Sequence, residues 1–229
     1  MKKLFLISLI LISISVVNAQ PDYDNFNRYF GIQVNTGITF FDLNNLKNGF
    51  SSALIQIRNQ YYIPLEAQHL YPANICWSAY FFYYITPSTS LILGPEYTST
   101  KAVSGYEDYA GTLDLKSELE EIYLSLGLKE HFPSVEIVQP LLGINFGLTH
   151  FKYSEETNLN INDYDIHQDD KYETTDVGYI VEVEGGFTRN LDFVVLEVVL
   201  AYRYVHLETM EINPDNFTIR LGIKKGIFK

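Results

Sequence analysis

The connections in this chain alternate in length. Eight strand-like stretches run Tyr29–Phe41, Ile75–Thr86, Ser90–Ala102, Leu119–Phe132, Val135–Phe151, Asp176–Thr188, Asp192–His206 and Asn216–Phe228. The short links are Pro87–Thr89, Pro133–Ser134 and Arg189–Leu191, and the long ones are Asp42–Asn74, Val103–Glu118, Lys152–Thr175 and Leu207–Asp215. They come in the order long, short, long, short, long, short, long. Tight turns at one end and long loops at the other are the rhythm of an up-and-down barrel in an outer membrane.

The stretches themselves alternate with period two, as strands with one apolar and one polar face do. In the first, Phe30, Ile32, Val34, Ile38 and Phe40 share one face, and Gly31, Gln33, Asn35, Gly37 and Thr39 the other. Ile122, Leu124, Leu126 and Leu128 stand against Glu121, Tyr123, Ser125, Gly127 and Lys129 in the fourth. Asp176–Thr188 and Asn216–Phe228 split in the same way. Ile75–Ile85 is so aromatic that parity does not assign its faces, and Pro95 interrupts its stretch, so a bulge is expected there. The polar parity is mostly Gly, Ser, Thr and Asn, which suits a narrow filled interior rather than a water-facing exterior. Aromatics near the stretch ends (Tyr29, Phe30, Phe40, Phe41, Tyr83, Tyr84, Phe132, Phe151, Phe187, Tyr202, Tyr204, Phe217 and Phe228) match interfacial girdles, so the apolar parity should face lipid.

Residues 1–19 read as a secretory signal, with Lys2 and Lys3 before the apolar run Leu4–Val17 and a cut after Ala19. That leaves residues 20–229 as one barrel domain. The segment holds two of the sixteen basic residues and none of the 28 acidic ones, so the remainder carries a net charge of −14. Such an acidic chain is a poor partner for nucleic acid. No later stretch is apolar for the roughly 18 residues a membrane helix needs, and lipid admits only helices and closed barrels. Cys76 is the single cysteine, which rules out an internal disulfide; it reads as a small packed side chain.

The opening YFGIQVNTGITF, the turn ITPSTSLILGPEY, the pair LSLGLKEHFP and QPLLGINFGL, and the closing VLEVVLAYRYV and FTIRLGIKKGIF resemble the small outer-membrane β-barrel family, the porin-like eight-stranded proteins of Gram-negative envelopes. The resemblance spans residues 27–229. It implies an all-β fold, an eight-stranded antiparallel up-and-down transmembrane barrel, located in the cell outer membrane. It further implies outer-membrane lipids and the envelope assembly machinery as partners, the latter reading a terminal aromatic. Here Phe228 is followed by Lys229. Family roles range over adhesion, envelope integrity, small-solute passage and lipid modification, so the resemblance does not choose among them.

Eight strands leave an interior that side chains nearly fill. A lumenal charge network of Glu96, Glu182, Glu184, Glu197, Arg203, Arg220 and Lys224 is therefore expected. Counting back from Asn190 sets Glu182 opposite Glu197, and counting from the last loop brings Glu197 near Lys224 and Arg203 near Arg220. The network should be a structural plug; a gate that rearranges to pass small ions is the alternative. In the acidic third loop, Asp163, Asp165, His167 and Asp169 alternate, but Gln168 stands where a calcium loop needs glycine and no Glu closes the series. They are weak candidates for binding a surface ligand, and no metal or other cofactor is expected. Leu43, Leu46, Phe50, Leu54 and Ile57 recur at helical spacing, predicting a short amphipathic helix over Asp42–Asn59 in the first long loop, packed on the barrel mouth. His150 with Ser154 and His206 with Glu208 are the only pairs that could serve a lipid-modifying enzyme, and neither forms a recognised motif. The expectation is a non-enzymatic barrel with a structural or surface-binding role. A selective channel for small or apolar solutes and a lipid-modifying enzyme are the alternatives.

Overall fold

The computed structural model describes residues 30–62, 66–108, 111–133, 137–161, 166–191, 193–210 and 214–228; the signal segment lies outside them. Nine strands and one helix follow one another as β1 (Phe30–Phe41), α1 (Asn44–Tyr61), β2 (Ala67–Leu70), β3 (Asn74–Tyr84), β4 (Thr89–Asp108), β5 (Gly111–His131), β6 (Gln139–Ile161), β7 (Ile166–Leu191), β8 (Val194–Leu207) and β9 (Asn216–Phe228). Every neighbouring pair is antiparallel, β9 returns to β1, and β4 pairs β5, so eight strands close into a barrel. The ninth, β2, is a short addition to the outer part of β4.

The alternation decides which way each strand faces. Gln33, Ser78, Glu96, Tyr123, Glu182, Arg203 and Arg220 point inward and are buried, whereas Leu124, Phe146, Val183, Leu200 and Ile219 point outward. The aromatic third strand resolves too: Cys76, Ser78, Tyr80 and Phe82 face in, and Ile75, Trp77, Phe81 and Tyr83 face out. Phe30, Phe40, Tyr83, Phe187, Tyr202, Tyr204 and Phe217 join the outer surface as the girdle reading requires. Phe41 and Phe151 do not; both are buried inside. Pro95 forms no bulge. Pairing between β3 and β4 keeps one register from Ser78↔Glu96 to Phe81↔Leu93, and only the rungs at the proline and Gly94 are missing. The strand accommodates a residue without an N–H by omitting ladder bonds, not by adding a residue.

Two of the expected long loops are strands. β4 and β5 pair without a break out to Asp108↔Gly111, and β6 and β7 out to Ile161↔Ile166. The described residues of Val103–Glu118 and Lys152–Thr175 therefore build a four-stranded wall that rises from one end of the barrel. Their polar outer residues hid them, because above the bilayer a strand needs no apolar exterior. The inside–outside pattern inverts instead. On β5, Leu113, Leu115 and Leu119 face inward on the parity that Glu121 and Tyr123 hold lower down, while Asp114, Lys116, Glu118 and Glu120 face out. The switch falls between Glu120 and Ile122.

The helix occupies the inner side of this wall. Leu43, Leu46 and Phe50 pack with Phe41, Tyr71, Ala102, Leu119, Phe151, Ile180, Val205 and Leu207 at the mouth of the barrel. Further along, Leu54 and Ile57 pack with Leu113, Leu115, Tyr106 and Leu159. Burying a leucine fully is worth about 1.5–3 kcal/mol, so Leu43 and Leu54 alone tie the helix down firmly.

Candidate functional site: a lumen closed twice

At mid-barrel the lumen is filled by ion pairs. Arg203 holds Glu96 at 2.7 Å and Glu182 at 2.8 Å. Arg220 holds Glu96 at 2.8 Å, Glu182 at 2.6 Å and Glu184 at 2.7 Å. Lys129 then bridges Glu184 and Glu197, each at 2.8 Å, and Lys224 pairs with the second oxygen of Glu197. All seven residues expected from the sequence are thus joined in one network.

One expected pairing is wrong. Glu182 stands opposite Arg203, and Glu197 opposite Thr188. β7 continues to Leu191 before the chain turns, three residues beyond the expected end of the strand, which shifts the register by six. No two carboxylates are left facing each other across that hairpin.

The expected set lacked Glu121, Lys129, Tyr80 and Tyr123, and also the amides of Gln33 and Asn145, which donate to Glu197 at 2.7 Å and to Glu182 at 2.8 Å. Glu121 accepts from Arg203 at 3.4 Å, and Tyr80 donates to Glu96 at 3.1 Å. The Arg203 guanidinium lies 3.7 Å over the Tyr123 ring. Glu121, Lys129 and Tyr123 are on the lumen-facing parity of β5, which was the available signal, whereas Tyr80 lies on the aromatic β3, whose faces the sequence pattern left unassigned. Five glutamates and four cations share the plug. Glu121, whose bonds to Arg203, Thr149 and Asn216 are all 3.3–3.4 Å, is the loosest carboxylate. Inward glycines give the long side chains room: a Cβ on Gly143 would sit 2.6 Å from Glu184, and one on Gly222 would sit 2.1 Å from Asn35.

Above the plug, the apolar cluster capped by α1 closes the mouth a second time. A hydroxyl chain crosses it: Ser117 Oγ donates to Tyr153 at 3.0 Å and lies 2.5 Å from the Tyr71 hydroxyl, and Tyr153 donates to Glu155. Burial pushes the Tyr71 phenol above its ordinary range.

The remaining candidates are not brought together. Asp163 and Asp165 lie outside the described residues, as does the side chain of His167. Asp169 is exposed in β7 opposite Asn158, and an extended strand spaces alternate residues about 6.6 Å apart instead of wrapping them round an ion. Among the described residues no three His, Cys, Asp or Glu side chains are placed to hold a metal. His150 and Ser154 are four residues apart on one strand, roughly 13 Å. His206 lies tilted at 38° against Tyr179, ring centres 4.8 Å apart, with no bond to Glu208.

No protein-family model matches the chain, and no curated protein does. Solved structures resemble it loosely. Neisserial surface protein A covers 87% of this chain with 99% of its own, at 12% identity and a TM-score of 0.47. Ail, the attachment invasion locus protein of Yersinia pestis in complex with the heparin analogue sucrose octasulfate, gives 87% and 99%, at 10% identity and 0.42. The N-terminal β-barrel domain of Pseudomonas aeruginosa OprF gives 88% and 100%, at 12% and 0.39. Likenesses this loose leave the assignment to the barrel's own surface. Around the closed sheet runs a belt of exposed Leu, Ile, Val, Phe, Tyr and Trp, including Leu148 at 72% and Trp77 at 56% exposure, where a water-facing barrel would carry charge. The chain folds as a small eight-stranded β-barrel with a lipid-facing belt, the architecture of outer-membrane barrels. In barrels of this architecture the tight turns face the periplasm and the long hairpins stand outside the cell.

Proposed function

We propose that this barrel is a closed, non-enzymatic anchor that holds an acidic, strand-built platform above the bilayer for binding at the cell surface. The observation that supports this is the double closure of the lumen, by the ion-pair plug and again by the helix-capped apolar mouth. A pore needs a continuous aqueous path, and two filled tiers argue against one. The separation of His150 from Ser154, and of His206 from Glu208, argues against the enzymatic alternative. Outer-membrane lipids contact the apolar belt, and β9, running to Phe228, is the segment offered to the envelope assembly machinery. Planar-bilayer recording tests the reading. The refolded wild type and Glu197→Ala should both lack stepwise conductance, and discrete openings in the wild type would overturn it.

A further inference from the structure

The wall has two sides, and the chain treats them differently. On the β4 side, β2 adds itself as an extra strand, pairing Ala67↔Ser104 and Leu70↔Ala102. On the β7 side the neighbour stops early. β8 pairs no further than Gly178↔Leu207, and Glu208 N–H makes one last bond to Val177 O at 3.1 Å. Asp176 then turns the chain aside by accepting the N–H groups of Thr209 and Met210, at 2.8 and 2.7 Å. From Thr175 back to Ile166, β7 is paired to β6 alone among the described residues.

That is ten residues of strand edge, about 33 Å long. Backbone direction alternates along a strand, and Val177 faces β8, so Thr175, Glu173, Lys171 and Asp169 turn their N–H and C=O groups outward on the same side. The register with β6 has no shift that would break this phase. Their side chains are exposed.

The charge of the wall says what would fit. Residues 101–108, 111–120, 151–161 and 166–175 carry ten carboxylates (Glu107, Asp108, Asp114, Glu118, Glu120, Glu155, Glu156, Asp169, Asp170 and Glu173) against four lysines (Lys101, Lys116, Lys152 and Lys171). Glu173 is shared by Lys152 at 2.9 Å and Lys171 at 3.4 Å, and hydrogen bonding to Lys152 holds its carboxyl below the usual range. Lys116 likewise pairs with Glu118, and the four lysines leave the wall with six net negative charges. We propose that the open edge of β7 is a strand-addition site for an extended cationic peptide segment. Main-chain bonds to Asp169, Lys171, Glu173 and Thr175 supply the pairing, and the acidic wall selects lysine- and arginine-bearing sequences. The proposal rests on the surface-binding reading above.

The test uses the barrel in lipid nanodiscs and a ten-residue probe of alternating threonine and lysine, beside the same peptide N-methylated at every second amide. Hydrogen exchange should slow at the Asp169, Lys171, Glu173 and Thr175 amides on adding the first peptide, and the methylated one should bind at least tenfold more weakly. Lys171→Pro separates backbone from charge. It removes an outward N–H and a positive charge while leaving the β6 ladder intact, so pure charge attraction predicts binding as tight or tighter. Strand addition predicts at least a tenfold loss, with Lys171→Thr retaining binding. Equal binding of the two peptides, unchanged exchange, no binding, or full binding by Lys171→Pro would each overturn the proposal. If Lys171→Pro does not fold, the methylated peptide decides on the unaltered protein. These outcomes leave the closed-anchor reading standing, since that falls only to conductance.

Discussion

Replacing Arg203 with methionine isolates the plug's electrostatics from its packing. Methionine retains most of the length of the side chain and still covers the Tyr123 ring, but it removes bonds to Glu96, Glu182 and Glu121. Arg220 remains to share Glu96 and Glu182, while Glu121 loses its only cation in the network. Removing one partner from a buried ion pair costs about 3–5 kcal/mol, because the opposite charge stays buried without compensation. With a urea slope near 2 kcal/mol/M, a loss of about 4 kcal/mol lowers the unfolding midpoint by about 2 M. Glu121→Gln should behave oppositely. The plug holds one carboxylate more than it holds cations, and Glu121 is the least tightly bonded, so neutralising it should leave the midpoint unchanged or raise it. The double variant Arg203→Met/Glu121→Gln should recover part of the loss. Urea titrations in lipid vesicles, followed by heat-modifiable migration in gels, measure all three. A midpoint for Arg203→Met equal to wild type, or a loss for Glu121→Gln as large as that for Arg203→Met, would refute the argument.

Leu54→Asp places a charge between Leu113 and Leu115 and should release α1 from the wall without opening the barrel. Trypsin cleavage at Arg58 should accelerate roughly tenfold or more, the population expected from losing about 1.5–3 kcal/mol, while heat-modifiable migration persists. Trp77, the single tryptophan, is 56% exposed on the outer face of β3. Its fluorescence should be strongly quenched by brominated lipids, and insensitivity to them would contradict the lipid-facing assignment.

The barrel could be read from the sequence because lipid imposes the same alternation on every strand it touches, from Ile32–Phe40 to Phe217–Ile223. The helix could also be read, since Leu43, Leu46, Phe50, Leu54 and Ile57 share one face whatever that face packs against. The wall was hidden for a physical reason. Outside lipid the constraint on the outer face disappears, and LDLKSEL and KYSEETNLNI then look like polar loops unless the inversion at Glu120–Ile122 is noticed. The plug's members followed from parity, but its pairings depended on where one turn falls. Moving that turn from Asn190 to the far side of Leu191 exchanged a repelling Glu182–Glu197 pair for an attractive Glu182–Arg203 one.

Because the inverted pattern lies on the same continuous strands as the lipid-facing belt, the two zones cannot change independently. Inserting a single residue between Leu119 and Ile122 would turn Leu113 and Leu115 toward water and bring Asp114 and Lys116 against the helix. Insertions and deletions are therefore confined to the tips of the hairpins and to the connection after Leu207, where no register is carried onward. Most of the wall can therefore change by substitution but not in length.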